Sequence, residues 1–406
     1  MRSGKRQTKR KVRKLVSRHI IAKREEELPL STMGYLIKIA EEDKGIISLG
    51  PGEPDFDTPK HIIDFACRKL REGYTHYAPP EGRRNLREAI AKKLKKENKI
   101  DVSPDQVVVT VGSTEAIMMA LMCTTDPGEG VLVPDPGFLA YRPTVEMLDG
   151  MPLCVPHYEE HGFRFMAEEA RKIILPEKTN VMIVNTPSNP TGVVFKRKTL
   201  EEIADFACEY DLLILSDEAY EKLVYGGEKH ISIGSLNGMG NRVLTLQSFS
   251  KTYAMPGFRL GYAAGPENII NAMKKIHLYT SVCAPTISQE AALAALSGPQ
   301  KAVTKMVREY DRRRQLITRR LNEIPGISCI EPWGAFYAFP NIKAFGMNSL
   351  CFSRWLLKKA KVAVTPGTEF GRCGEGYIRC SFATSYEKIG LALERIERST
   401  GKLKNR

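Results

Sequence analysis

The stretch RVLTLQSFSKTYAMPGFRLGY, residues 242–262, decides how the rest of the chain is read. Its opening, Arg242–Gln247, is rich in apolar and β-branched residues and reads as a buried strand. The chain then turns polar at once, with Ser248, Ser250, Lys251 and Thr252. A lysine that works as a nucleophile must be partly desolvated, so that its amine is neutral near working pH. Lys251 follows directly on a buried strand, so its stem starts at the edge of a core. Farther along stands Arg259, whose planar guanidinium binds phosphate through paired hydrogen bonds. With the hydroxyls of Ser248 and Ser250 it would form a phosphate cradle. Taken singly, Lys251 and Arg259 are two cations among 61. Their shared setting is what separates them from the rest.

The same arrangement recurs upstream. Strand Leu212–Leu215 runs into Ser216-Asp217-Glu218-Ala219-Tyr220. An acid emerging from an apolar strand is costly unless it has a cationic partner. A protonated pyridine nitrogen would be one, and such a ring is an electron sink. The ordinary alternative for Asp217 is a helix N-cap. Tyr220 lies on the same face. Strand Val181–Val184 leads into the turn-rich loop Asn185–Gly192, which fixes the Asn189 amide. Strand Gln106–Val111 precedes Gly112-Ser113-Thr114 and a helix over Glu115–Cys123, whose N-terminus suits a phosphate. Strand Gly130–Val133 leads to Asp135–Phe138. In open α/β sheets, ligands sit outside the carboxyl ends of the strands, so these segments describe one site.

Strands separated by helices (Lys60–Arg71, Arg83–Asn98, Leu200–Tyr210) predict an α/β fold with a mostly parallel sheet covered on both faces. Beyond Ser297 the pattern changes. A charged helix over Gln300–Asn322 is followed by short strands at Ile327–Glu331 and Ala335–Phe339, a helix over Ser349–Ala360 and a strand at Tyr377–Ser381. That predicts a smaller α+β domain, shared with Leu36–Ile47. The division expected is a basic, disordered tail (1–28), a segment joining the small domain (29–60), a large domain (61–296) and a small domain (297–406).

Bulk properties narrow the function. The 406 residues are 42% hydrophobic and 27% charged, ordinary for a globular protein of two domains. The net charge of +14 is concentrated: residues 1–24 hold eleven Lys/Arg and no acid, leaving 50 basic against 47 acidic residues elsewhere. The basicity therefore belongs to a tail. No aromatic residue interleaves those charges to stack bases, which disfavours a nucleic-acid arm. Nine cysteines without a C-x-x-C pair point away from a disulfide framework or thiolate metal site. No apolar run suits a membrane span or secretory signal, so a cytoplasmic location is expected. His157-Tyr158-Glu159-Glu160-His161 matches an H-x-x-E-H zinc motif. Lying between Pro156 and Gly162, it is too short for the helix that zinc ligation needs. It is expected to be a solvent-facing loop, and no metal is expected.

Together these segments resemble the fold type I, pyridoxal 5′-phosphate (PLP)-dependent aminotransferases of class I/II. The resemblance extends to the prokaryotic and archaeal aspartate aminotransferase subgroup. It rests on SLGPGEPDFDTP, YTHYAPPEGRRNLREAI, PDPGFLAY, NTPSNPTG, SDEAYEKLVY, SFSKTYAMPGFRLGY and YIRCSFATS, in family order over roughly residues 35–390. It implies a large domain with a seven-stranded-type sheet, and PLP carried by Lys251 as a Schiff base. Lys251 would also move the proton between substrate Cα and the cofactor. Asp217 would pair with the pyridine nitrogen, Asn189 and Tyr220 would meet the ring oxygen, and Phe138 would stack on the ring. Ser113, Thr114, Ser248 and Arg259 would hold the phosphate. Tyr77 would reach the phosphate in a neighbouring subunit, implying a homodimer with shared sites. Arg379 would grip the substrate α-carboxylate, assisted by Asn189 and the backbone N–H of Gly52.

The resulting expectation is amino-group transfer from an L-amino acid to a 2-oxo acid such as 2-oxoglutarate, by a ping-pong mechanism. Aspartate is the favoured donor, with a range that takes in alanine or aromatic amino acids. Thr114 stands where relatives specific for dicarboxylates carry a lysine, which argues against strict aspartate specificity. The alternatives are another PLP enzyme of this fold (a carbon–sulfur lyase, a decarboxylase or a cyclopropane-forming synthase) and a regulator binding nucleic acid through its tail. Salt-dependent retention on heparin or RNA, lost on deleting residues 1–24, would mark the last.

Overall fold

In the computed structural model, which describes residues 21–26, 28, 34, 39 and 43–404, short strand β1 (Ile47–Ser48) precedes the main sheet. That sheet is built from β2 (Val107–Thr110), β3 (Gly130–Asp135), β4 (Met151–Pro156), β5 (Thr179–Asn185), β6 (Leu213–Asp217), β7 (Val243–Ser248) and β8 (Gly261–Ala264). The spatial order is β2-β8-β7-β6-β5-β3-β4. All neighbours run parallel except β8, which is antiparallel to both β2 and β7. Alternate residues of each strand face opposite cores. Val131, Val133, Val181, Ile183, Leu215 and Leu244 pack with Ile117, Ala120, Leu121, Ile270 and Met273 on one side. Leu132, Met182, Val184 and Ile214 pack with Phe165, Leu200, Ile203 and Phe206 on the other. Burial on both faces explains why these strands are continuous apolar runs.

The second layer of structure follows helix Lys301–Glu323. It contains β9 (Tyr337–Ala338), β10 (Val362–Ala363), β11 (Thr365–Pro366) and β12 (Ile378–Ser381), with helices Ser349–Ala360 and Tyr386–Lys404. β11-β12-β9 form an antiparallel sheet, and β1 pairs in parallel with β10, tying residues 47–48 into this unit. A separate apolar cluster, including Ile47, Tyr310, Phe336, Phe352, Ile378 and Leu393, forms its core. Residues 1–20 and 27 of the expected tail, and residues 29–33, 35–38 and 40–42 of the expected joining segment, lie outside the described residues. Among the described residues no helix is long and apolar enough to cross a membrane.

The structure corrects several expectations. The helix expected from Glu115 begins at Gly112, so Gly112-Ser113-Thr114 form its first turn. No strand forms over Ile327–Glu331; only Ser328 bridges to Asn341 before Pro332. Asp217 ends β6 and is followed by turns rather than a helix, so it is no helix N-cap. The 157–161 stretch is not uniformly solvent-facing. His157 is buried against Phe165 and Phe195, and burial pushes its imidazole down to about 4. Glu159–His161 form a single 3₁₀ turn, with Glu160 and His161 exposed.

Candidate active site

The carboxyl ends of β2, β5, β6 and β7 converge on one cavity of about 440 Å³. Its lining includes Gly52, Ser113, Thr114, Phe138, Asn189, Asp217, Tyr220, Ser248, Lys251, Arg259 and Arg379, so all but one of the expected site residues meet there. The exception is Tyr77, which is 84% exposed on the surface, away from this chain's own cavity.

Lys251 sits on the short helix Phe249–Thr252, directly after β7. Its Nζ donates to the carbonyl of Gly52 at 2.5 Å and lies 6.0 Å from the Tyr220 ring. Thus Gly52 offers its carbonyl to the lysine, where sequence pointed to its N–H. Burial pushes the Lys251 amine down to about 8, helped by the nearby charges of Arg379 and Arg259. A buried amine that readily loses its proton is suited to nucleophilic attack.

Asp217 is buried, and burial raises its carboxyl above the usual range. Two donors oppose that shift: Tyr141 Oη at 2.7 Å to Oδ2, and the backbone N–H of Ala219 at 3.2 Å to Oδ1. The acid is therefore held rigidly, in surroundings that favour a cation opposite it. Tyr220 Oη shares a 2.8 Å hydrogen bond with Tyr337 Oη. Sequence reasoning missed both Tyr141 and Tyr337. Tyr141 closes the PDPGFLAY segment three residues after Phe138, a helical spacing that could have been read. Tyr337 carries no such local signal.

At the opposite end of the cavity, Ser113 and Thr114 lie in the first turn of helix Gly112–Thr124, where backbone N–H groups are unsatisfied. Gly112 has a φ of +77°, and a Cβ there would come within 2.7 Å of Arg259 Nη2. A side chain at 112 would thus displace the guanidinium from the helix start. Gly261 is needed too, since its Cβ would meet the Ser113 nitrogen and the Gln247 carbonyl at 2.6 Å. Helix N-terminus, hydroxyls and guanidinium together make an anion site suited to a phosphate.

Arg379, on β12, is only 1% exposed. Its Nη1 donates to Asn189 Oδ1 at 3.0 Å and its Nη2 to the Gly50 carbonyl at 2.6 Å. The Tyr337 and Phe370 rings lie 4.3 and 4.7 Å from the guanidinium carbon. Nε is buried without a hydrogen-bond partner, and no carboxylate pairs with Arg379 among the described residues. A buried guanidinium with an unused donor suits a carboxylate ligand. The residues present therefore fit PLP and an amino acid at once: an amine, an acid held opposite a cation site, an anion cradle and a carboxylate grip.

Behind Asp217 lies a buried polar cluster. Glu218, Glu221 and His230 place potential metal-ligand atoms within 4.8 Å of one another. Their carboxylates already accept from His230, Ser232, Asn98 and Gln247, and Lys93 forms an ion pair with Glu221. Burial alone would raise the Glu221 carboxyl, but the Lys93, Lys222 and His230 charges bring it down to about 2. Lys93 thus supplies the cationic charge this cluster needs. Lys93→Met should cost about 3–5 kcal/mol in urea unfolding, because it strands a buried carboxylate. A loss below 1 kcal/mol would show that solvent reaches Glu221.

Fold and site together define an enzyme that handles amino groups through PLP. The chain belongs to the aminotransferase class I and II family, whose model matches residues 44–396, and it is a PLP-dependent aminotransferase. It is 50% identical over 371 residues to an aspartate aminotransferase of Pyrococcus abyssi, covering 91% of this chain and 95% of that protein. It is 49% identical over 371 residues to aromatic-amino-acid aminotransferase 2 of Thermococcus litoralis, with the same coverage. The crystal structure of an aromatic aminotransferase from Pyrococcus horikoshii superimposes with a TM-score of 0.87 at 48% identity, covering 91% of this chain and 99% of that one.

Proposed function

We propose that this enzyme transfers the amino group of an L-amino acid, with aspartate favoured and aromatic acids or alanine within range, to a 2-oxo acid such as 2-oxoglutarate. Residues 61–296 would hold the cofactor and residues 297–406 would form the smaller domain. The observation that carries the reading is a buried Arg379 with an unused donor, facing the same cavity as a buried Lys251 whose proton is easily lost. When bound, PLP supplies an electron sink for negative charge developing at the substrate Cα.

The roles of the chain's own residues follow. Lys251 would carry the cofactor covalently and, once released, take and return the proton at the substrate Cα. Asp217 would hold the pyridine nitrogen protonated, with Tyr141 and Ala219 fixing its carboxylate. Tyr220 and Asn189 would bind the ring oxygen, Phe138 would cover the ring, and Ser113, Thr114, Ser248 and Arg259 would anchor the phosphate. Arg379, with Asn189 and Gly52 beside it, would orient the substrate by its α-carboxylate. Tyr77 would serve a second subunit's site, which makes the working unit a homodimer, and its place of work would be the cytoplasm. Support for the homodimer lies in the exposure of Tyr77, in a surface depression that it shares with the exposed Leu70 and with Pro285 and Ile287.

A second cavity of about 500 Å³ shares Thr114, Phe138 and Leu139 with the first and is lined further by Met118, Met147 and Phe370. This apolar neighbourhood supports a range beyond dicarboxylates. Thr114→Lys should therefore raise the ratio of kcat/KM for aspartate over phenylalanine by about tenfold, the worth of one charge-assisted hydrogen bond. A substrate panel tests the whole reading. Transfer from aspartate or aromatic donors to 2-oxoglutarate is expected, and failure with every 2-oxo acid would refute it.

A further inference from the structure

The H-x-x-E-H stretch at 157–161 is left without a role by the reaction, yet one of its residues makes a specific long-range contact. Glu159 Oε2 accepts from Asn341 Nδ2 at 2.6 Å and from Tyr377 Oη at 2.8 Å. Glu159 follows β4 of the main sheet, whereas Asn341 and Tyr377 belong to the smaller unit. Asp135, at the end of β3, does the same. Its two carboxylate oxygens accept the backbone N–H groups of Arg372 (3.0 Å) and Cys373 (2.9 Å). Two residues on, Gly137 N–H donates to the Phe370 carbonyl at 2.8 Å. The loop is pressed onto the acid: a Cβ on Gly371, whose φ is +127°, would lie 2.0 Å from Asp135 Oδ1.

An aromatic cluster bridges the same boundary. Phe163 packs edge-on to Phe339 (5.7 Å) and Tyr377 (5.5 Å), and Phe339 stacks on Tyr377 and meets Phe370. Phe370 in turn lies against the Arg379 guanidinium. Tyr377 stands two residues before Arg379, which places both on one face of the extended chain. Phe138 directly follows Gly137. Movement of the 370–377 loop away from β3 and β4 would therefore shift Arg379 relative to Phe138.

We propose that Glu159 and Asp135 are positioning residues. They clasp loop 370–377 to the main sheet and so fix the height of Arg379 over the cofactor cavity, giving the 157–161 stretch a mechanical rather than a metal-binding role. This rests on the reading of Arg379 as the carboxylate anchor. Two buried or half-buried acids, whose side-chain hydrogen bonds among the described residues all come from across the boundary, bind strongly while closed and are left short of donors when open. Geometry is the lever, since a displacement of about 1 Å at a binding group can cost up to about 10²-fold.

The test measures succinate binding to the PLP-loaded protein by calorimetry, which reads the carboxylate grip without turnover. Glu159→Ala and Asp135→Ala should each weaken succinate about tenfold or more, with the cofactor's visible absorption and retention unchanged. Tyr377→Phe, which removes a single hydroxyl, should weaken it less, and Glu159→Gln, which keeps an acceptor, should restore most of the affinity. Steady-state assays should show the loss in KM for the amino acid, with little change in the rate for an amine lacking the carboxylate. Unchanged succinate affinity in both alanine variants would overturn the clasp. So would an equal loss of cofactor and succinate, or an equal fall for amine and amino acid, because those mark general damage. Arg379→Leu separates the two claims: if it binds succinate as tightly as wild type, the anchor reading fails, whereas its loss alongside intact clasp variants condemns the clasp alone.

Discussion

Lys251→Ala is expected to lower kcat for amino-group transfer by about 10⁴-fold or more, at the upper end of what a proton-transferring group supplies. The reason is double duty. The same amine would hold the cofactor and later handle the Cα proton, so its removal takes away both. Stability should change little, because among the described residues the Lys251 head makes a single hydrogen bond, to Gly52, and a buried cation is replaced by a methyl group. The purified variant should lose the cofactor's absorption on dialysis while circular dichroism stays native. The environment also sets a pH dependence. Burial lowers the amine to about 8, so the neutral fraction grows as pH rises through that value. Uptake of PLP by the cofactor-free wild type should accelerate over the same interval, in stopped-flow absorbance. A flat pH–rate profile between 6 and 9 would mean that the amine is not the group captured, and a variant with wild-type kcat would remove Lys251 from the reaction.

Asp217→Asn should cost about 10²–10³-fold in kcat, the usual loss when one preorganised charge at a reacting centre is removed. The carboxylate is buried and held by Tyr141 and Ala219, so solvent offers little to replace its charge. An amide cannot keep a pyridine nitrogen protonated, and the electron sink would weaken. KM should move far less than kcat, because Asp217 is bonded neither to Arg379 nor to Asn189, the carboxylate grip. Tyr141→Phe should give a smaller loss in the same direction, since the acid then keeps its charge but loses one of two donors. If Asp217→Asn instead raised KM and left kcat intact, the acid would belong to substrate binding.

Some of this was legible in the chain and some was not, for physical reasons. The inner strands β5, β6 and β7 are buried on both faces, so their apolar runs are unmistakable, and the polar groups at their ends stand out by contrast. β4 was invisible because Pro152 and Pro156 interrupt it. It survives as an edge strand, at the end of the sheet order, where a proline can sit without breaking an interior ladder. β8, Gly261-Tyr262-Ala263-Ala264, has little strand propensity and is set by packing, its glycine forced by the approach of Ser113 and Gln247. Helix Thr286–Ser297 is buried nearly all round, so it lacks the amphipathic period that reveals a surface helix.

In the site, Lys251, Asp217, Asn189, Arg259 and Arg379 stood out because each lies in a recognisable segment at or after a strand. Tyr337 did not, because its partner Tyr220 lies 117 residues away and only folding joins them. The same holds for Glu159, whose neighbours suggested a metal motif while its real contacts lie 182 and 218 residues along the chain. Tyr77 was legible as a motif residue, although it stands exposed on the surface, away from this chain's own cavity.

Whether Lys251 carries the cofactor is decided by peptide mapping of the PLP-loaded protein after borohydride reduction. The expected product carries one added phosphopyridoxyl group per chain, located by fragmentation on Lys251. A group found on any other lysine, or no incorporation in protein loaded with PLP, would contradict that role for Lys251.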